Sequence, residues 1–279
     1  MENKIQKRSD FINGELNGRI ALITGGTSGI GFATAKLFLN EGAKVAIISR
    51  NKEHLASASE QLKVNGEEDV LPIQCDVRNE ADILKAFEMI IKRFGKLDIV
   101  VNNAGIVYSA PIEETSLDIW NNSNDINNTG YFLIAREGYK IFKKQKSGGV
   151  FAFVGSDNSI RPSMQSVAYN VSKAAEVHLS RSIAHEGGKY GIRSNCVLPG
   201  AVFGISSVWT DEYRRARAAV HGFDPNKLEE EYKKANSLGV IIYPEEVANV
   251  ILFLVSDKSA KMTGNVLVID GGNAGSYVR

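Results

Sequence analysis

The stretch IALITGGTSGIGFATAKLFLNEGAKVAIISR, Ile20 to Arg50, sets two short apolar runs, Ile20–Thr24 and Val45–Ser49, around a glycine-rich turn and a helix-patterned segment. Within each run the apolar residues are continuous, which is what a strand covered on both faces requires. Gly25, Gly29 and Gly31 allow a tight turn, close backbone approach and close helix packing. The helix that follows points its N-terminus at the turn, and free N–H groups there favour a pyrophosphate. The first strand, the turn and the helix together predict a dinucleotide-binding βαβ unit.

Five more apolar runs follow, at Val70–Cys75, Asp98–Asn102, Gly149–Gly155, Arg193–Leu198 and Asn265–Asp270. Helical patterns separate them, such as EADILKAFEMIIKRFG, which closes on the glycine at 95. Repeated strand–helix alternation predicts an α/β fold, a single-domain, Rossmann-like, doubly wound parallel sheet of seven strands with helices on both faces. That domain is expected over residues 18–279, after an N-terminal arm at 1–17. Residues Phe203–Gly239 interrupt the alternation with a polar, charged, helix-prone segment. A long insertion here is expected to be a substrate lid, with Phe203 and Trp209 as its apolar cover or its anchor.

The 279 residues are 43% hydrophobic, and 33 basic residues balance 32 acidic ones to a net charge of +1. No basic stripe or like-charge tail is present, which argues against nucleic acid or a membrane surface as partner. Cys75 and Cys196 each end an apolar run and read as buried free thiols rather than a disulfide framework. No segment has the character of a signal peptide, and none approaches the roughly 18 apolar residues of a membrane span. A cytoplasmic location is expected, which makes the Asn-x-Ser/Thr matches at Asn121, Asn127 and Asn170 chance ones. The histidines at 54, 178, 185 and 221 form no metal-ligand pattern, so no metal is expected.

Tyr169 and Lys173 stand four apart in a helical pattern and therefore share one helix face. An ordinary phenol, with pKa near 10, is a poor base at neutral pH. A cation one turn away favours the phenolate and brings that acidity towards the working range.

With these residues in place, the chain resembles the short-chain dehydrogenase/reductase family over nearly its whole length. TGGTSGIG matches the family's turn, CDV at Cys75–Val77 its adenine contact, and NNAG at Asn102–Gly105 its cofactor-lining loop. DINNTG, FVGS ending at Ser156, YNVSK, the Pro199–Gly200 pair and the late DGG complete the series in order. The resemblance implies a catalytic set of Asn127, Ser156, Tyr169 and Lys173, with Asn128 competing with Asn127 in register. Tyr169 is then the acid–base group, Ser156 binds the substrate oxygen, Lys173 holds the nicotinamide ribose, and Asn127 carries a water of the proton relay. Implied cofactor contacts are Thr24, Gly25, Thr27, Ser28, Gly29, Ile30, Gly31, Ser49, Arg50, Asp76, Val77, Asn103, Ala104, Gly105, Pro199, Gly200 and Val202, besides Tyr169 and Lys173. Ser156, Asp157 and Tyr169 are the implied substrate contacts, with Asn158 and Arg161 as further polar candidates on the same loop.

Ser49 and Arg50 end the second strand without a carboxylate before Glu53, which favours NADP(H) over NAD(H). Many family members carry a threonine where this chain has Gly204; Ser206 or Ser207 are the candidate replacements. The segments PGAVFGISSVW and DGGNAGSYVR resemble dehydrogenase domains attached to sugar-phosphate aldolases, which act on small hydroxyaldehydes or polyols. The expected function is hydride transfer between a nicotinamide and a secondary alcohol or carbonyl, on a small-molecule substrate, in a homotetramer. The alternatives are an NAD-dependent polyol, sugar or hydroxyaldehyde dehydrogenase, and a dinucleotide-sensing regulator on the same fold.

Overall fold

A computed structural model describes residues 14–63, 66–204 and 208–276. The strands are β1 (Ile20–Thr24), β2 (Lys44–Ser49), β3 (Val70–Gln74), β4 (Ile99–Asn102), β5 (Gly149–Val154), β6 (Ile192–Pro199) and β7 (Val266–Ile269). They form one sheet of seven strands in the order β3-β2-β1-β4-β5-β6-β7. All six neighbouring pairs are parallel.

The continuous apolar runs are explained by the two layers of helices. Helices α1 (Gly29–Asn40) and α2 (Lys52–Leu62) pack on one face, and α3 (Glu80–Phe94) on the other. Along β1, Leu22 enters the core that holds Ile83 and Ile90 of α3, while Ala21 and Ile23 enter the core that holds Ala35 and Phe38 of α1. Successive strand residues point to opposite faces, so each run must be apolar throughout. The last helix over the α1 face, Pro244–Val255, is fixed to β6 by Arg193, whose guanidinium donates to the Leu254 and Ser256 carbonyls at 3.1 and 3.2 Å.

On the α3 face lie two further helices and a break. The sequence predicts a helix over Leu117–Lys144, and the structure gives a helical run there with a π-helical turn at Asp125–Gly130 set between α4 (Leu117–Asn124) and α5 (Tyr131–Gln145). A Cβ at Gly130 would lie 2.9 Å from Val77, so glycine lets this turn press against the chain leaving β3. The wider turn rotates Asn127 inward, where it is fully buried. Helix α6 (Val167–Gly187) packs beside it and carries Tyr169 and Lys173.

Residues 14–17 of the expected arm fold back as a turn, with Leu16 buried and its N–H on the Glu41 carbonyl at 3.0 Å; residues 1–13 lie outside the described residues. The expected lid contains α7 (Asp211–His221) and α8 (Leu228–Lys234), and α9 is Pro244–Val255. Phe203 stacks on Trp209 with ring centroids 4.6 Å apart, and Tyr232 meets both rings edge-on. Trp209 Nε1 donates to the Val202 carbonyl at 2.6 Å. These aromatics anchor the segment to the end of β6, and they also line the cleft.

Candidate active site

β1 lies between β2 and β4, so the crossovers leaving β1 and β4 run to opposite faces and a crevice opens at their C-terminal ends. Thr24 and Asn103 tie its floor together. The Thr24 hydroxyl accepts the Asn103 and Ala104 N–H groups, each at 2.8 Å, and Asn103 Nδ2 donates to the Thr24 carbonyl at 2.8 Å. Gly25 turns with φ +66 and Gly29 with φ +52, which glycine adopts without strain. A Cβ at Gly31 would fall 2.3 Å from the Gly25 carbonyl, so α1 begins pressed against the turn. No side chain caps the α1 N-terminus, which faces the crevice.

The crevice continues into a cleft of about 1370 Å³ that reaches the loop after β5 and the segment of α7. Drug-sized ligands occupy roughly 300–1,000 Å³, so this cleft has room for a dinucleotide and a second molecule. The sequence-predicted residues of the turn from Gly25 to Ile30, of the β2 end, and of Asp76 and Val77 all line it. So do Asn103–Gly105, Ser156, Asp157, Tyr169, Lys173, Pro199, Gly200 and Val202. Thr24, Gly31 and Asn127 stand behind the surface and act on its shape. Arg78, which sequence reasoning passed over, grips Asp76 through Nε and Nη2, the latter at 2.6 Å. That hydrogen bonding outweighs the burial of Asp76 and holds its carboxyl below the usual range.

Asn127 and Asn128 separate cleanly. Asn127 Oδ1 accepts the Ile106 N–H at 2.9 Å, and Nδ2 donates to the Ile106 carbonyl and to Ser172 Oγ, at 3.0 and 2.9 Å. Asn128 turns back to Asn124. Asn127 therefore fastens the NNAG loop to α6, next to Gly105, where a Cβ would stand 3.4 Å from Asn127 Oδ1 and 3.5 Å from Lys173 Nζ.

Lys173 is 4% exposed, and its ammonium is committed to three groups. It donates to the Val154 carbonyl at 2.9 Å, to Glu176 at 3.0 Å and, weakly, to the Tyr131 hydroxyl at 3.5 Å. Glu176 is 1% exposed, and both its oxygens lie within 3.0 Å of Lys173 Nζ. Burial pushes the Glu176 carboxyl up to about 8 against the pull of Lys173. Glu176 in turn keeps the Lys173 ammonium protonated despite burial. The sequence motif signals neither Glu176 nor Tyr131: a glutamate three residues after the lysine reads as ordinary helix polarity until its face is known.

This arrangement corrects the acidity expected for Tyr169. Burial raises its pKa, Glu176 and Asp157 raise it further, and only the hydrogen bond with Ser156 works the other way. The ammonium that was to lower it is turned towards Glu176 and the β5 carbonyl, with Nζ 5.7 Å from the Tyr169 ring centroid. Ser156 Oγ donates to Asp157 Oδ1 at 3.1 Å and accepts the Asn158 N–H at 3.2 Å. Asp157 is itself raised, chiefly by burial, with the Asp270 carboxylate adding to it. The missing threonine has a backbone reason, because Gly204 sits at φ +113, where a threonine would be strained. Ser206 and Ser207, the candidate replacements, lie outside the described residues.

The combination is a phenol, a hydroxyl and a buried ammonium at the inner end of a glycine-floored cleft, on a doubly wound parallel sheet. A family model described as enoyl-(acyl carrier protein) reductase matches residues 25–274. The uncharacterized oxidoreductase YuxG of Bacillus subtilis is 43% identical over 95% of this chain, which spans 39% of YuxG's own length. Among solved structures, levodione reductase superposes with a TM-score of 0.85 at 32% identity, covering 94% of this chain and 100% of that one. A short-chain type dehydrogenase/reductase from Mycobacterium marinum gives a TM-score of 0.82 at 32% identity, covering 92% and 96%. The chain belongs to the short-chain dehydrogenase/reductase family and is an oxidoreductase of that family. The family uses a nicotinamide dinucleotide, and the crowded glycines of the turn and the uncapped N-terminus of α1 fit one.

Removing the charge of Glu176 tests the electrostatics of the site. Above pH 8, where the Glu176 carboxyl is ionised, Glu176→Gln takes a negative charge from beside Lys173 and from the field that raises Tyr169. The acid limb of kcat/KM for alcohol oxidation is expected to move to lower pH by about one unit. Profiles of wild type and variant that overlay across pH 6–10 would show that this charge does not reach the phenol.

Proposed function

We propose that the protein is a nicotinamide-dependent secondary-alcohol dehydrogenase or carbonyl reductase that favours NADP(H), with Tyr169 as its acid–base group. The observation that carries this reading is the convergence of Ser156, Tyr169 and Lys173 at the inner end of the glycine-floored cleft. The nicotinamide supplies the hydride in reduction and takes it in oxidation. Tyr169 gives its hydroxyl proton to the carbonyl oxygen in one direction and recovers it from the alcohol in the other. A raised phenol pKa suits the donor role at neutral pH and makes the basic role improve as pH rises. Ser156 Oγ hydrogen-bonds the same oxygen as charge develops on it. Lys173, protonated and fixed by Glu176, keeps a positive charge 5.7 Å from the Tyr169 ring centroid, and holding ribose hydroxyls would require its ammonium to give up the weak Tyr131 contact. The likeness to levodione reductase, at 32% identity, supports a reductase reading.

A polyol or hydroxyaldehyde substrate is the second reading. It is favoured by Asp157, whose carboxyl stands beside Ser156 in the cleft and can accept a hydrogen bond from a neighbouring substrate hydroxyl.

The first test is Tyr169→Phe, which deletes the proton donor and keeps the ring. Turnover is expected to fall by roughly 10²–10⁴-fold while dinucleotide affinity persists. A variant retaining more than about half the wild-type rate would sink the acid–base assignment.

Cofactor preference rests on Ser49 and the exposed Arg50 at the cleft wall. Arg50 offers a guanidinium to a 2′-phosphate, and charge-assisted hydrogen bonds contribute about 1.5–3 kcal/mol, or about tenfold or more in preference. The kcat/KM ratio for NADP over NAD is expected to exceed that factor in the wild type and to reverse in Ser49→Asp with Arg50→Ile. A wild type that prefers NAD contradicts the assignment.

Assembly as a homotetramer is the last part of the proposal. Leu117 is 77% exposed, Phe132 47% and Val171 43%, on α4, α5 and α6, helices that pack side by side. Light scattering is expected to give four chains of 30.4 kDa. A monomer at all micromolar concentrations would rule this out.

A further inference from the structure

Helix α7 brings a buried guanidinium to the cleft that neither the family motifs nor the catalytic set accounts for. Arg217 is 4% exposed, an unusual burial for arginine, and it lines the cleft. Nη1 donates to the Met164 carbonyl at 2.9 Å, and Nη2 lies 2.8 Å from His221 Nε2. Among the described residues no carboxylate lies within ion-pair distance of it. A guanidinium has five N–H donors, and these contacts engage only two of its nitrogens. Burying a charge without a counter-charge is costly, and a site that keeps one is built for a partner that arrives with the ligand.

Its neighbours in the cleft are a neutral imidazole and a second guanidinium. Arg217 donates to His221 Nε2, so the imidazole carries its proton on Nδ1 and is neutral. Burial lowers the His221 pKa, and Arg217 and then Arg161 lower it further. Arg161 comes from the loop after Ser156 and Arg217 from α7, and both line the cleft. Tyr213, also on α7, lines the same cleft and feels Arg217, Tyr169 and Asp157 together. Arg161 also acts on the Asp157 carboxylate, so the loop after Ser156 carries both signs, whereas Arg217 on α7 has no carboxylate within ion-pair distance among the described residues.

We propose that Arg217, with His221 and Arg161, forms an anion subsite, so that the alcohol or carbonyl substrate carries a carboxylate or phosphate group beyond the reacting carbon. The inference rests on the oxidoreductase reading of the same cleft. The planar donor fork of Arg217 suits either anion, and His221 sets its orientation.

The experiment uses two pairs of secondary alcohols with the full-length chain and NADP. The pairs are 3-hydroxybutyrate against 2-butanol, and glycerol 3-phosphate against glycerol. In at least one pair the anionic member is expected to be preferred by about tenfold or more in kcat/KM, and the pair that responds distinguishes carboxylate from phosphate. Arg217→Gln is expected to lower kcat/KM for that anion, through KM, by about tenfold more than for its neutral partner, with Arg217→Lys recovering part of the loss. Preference for the neutral member in both pairs, or equal losses on both members, overturns the subsite. If Arg217→Gln fails to fold by circular dichroism, the wild-type preferences decide alone. Thermal melting with each anion gives a readout independent of turnover. Stabilisation that depends on Arg217, without any nicotinamide reduction, rejects the oxidoreductase proposal and keeps the subsite. Oxidation of neutral alcohols without anion preference does the reverse.

Discussion

The Thr24 hydroxyl accepts two backbone N–H groups from the chain leaving β4, and Asn103 returns a bond to the Thr24 carbonyl. The tie joins the ends of the two strands at which the sheet reverses its winding. It holds the glycine turn on one side and the NNAG loop on the other at fixed separation. Gly25 and Gly31 can press together only because this floor does not spread, and Gly105 can lie against Asn127 and Lys173 for the same reason. A parallel sheet has no other element at this point, because both crossovers have already left for their helices.

From that floor the site is assembled by α6 and by the π-helical turn before α5. Asn127, rotated inward by the wider turn, ties Ile106 to Ser172 of α6. The same helix presents Tyr169 and Lys173, and its next inward residue is Glu176. The ammonium is thus held by a carboxylate from its own helix and by the Val154 carbonyl of β5. A lysine so confined keeps its charge and its position, but its field at the phenol is partly cancelled. The acidity of Tyr169 is a balance among burial, Glu176, Asp157 and Ser156, and not the product of one neighbouring cation.

The segment between β6 and α9 adds what the geometry of the sheet does not supply. Its aromatic stack of Phe203, Trp209 and Tyr232 fastens it to the end of β6, and α7 then leans Tyr213, Arg217 and His221 over the cleft. Charged residues that look like a solvated helix in sequence come to differ sharply: Arg214 pairs with Glu229, whereas Arg217 is buried with a carbonyl and an imidazole.

The sequence by itself determined the sheet, since seven continuous apolar runs separated by helical patterns are best satisfied by parallel strands covered on both faces. It also determined the glycine turn and the Tyr169–Lys173 pair, because local backbone freedom and helical periodicity are written in neighbouring residues. Tertiary structure alone turned Asn127 to Ile106 and Ser172 and Asn128 back to Asn124, because a π-helical turn shifts the register by a residue and leaves no mark in composition. It alone paired Lys173 with Glu176, reversed the expected shift at Tyr169, and set Gly204 at a φ no threonine tolerates without strain. Burial and electric field depend on every element that closes around a group. They are properties of the packed cleft, and a linear pattern of charges does not contain them.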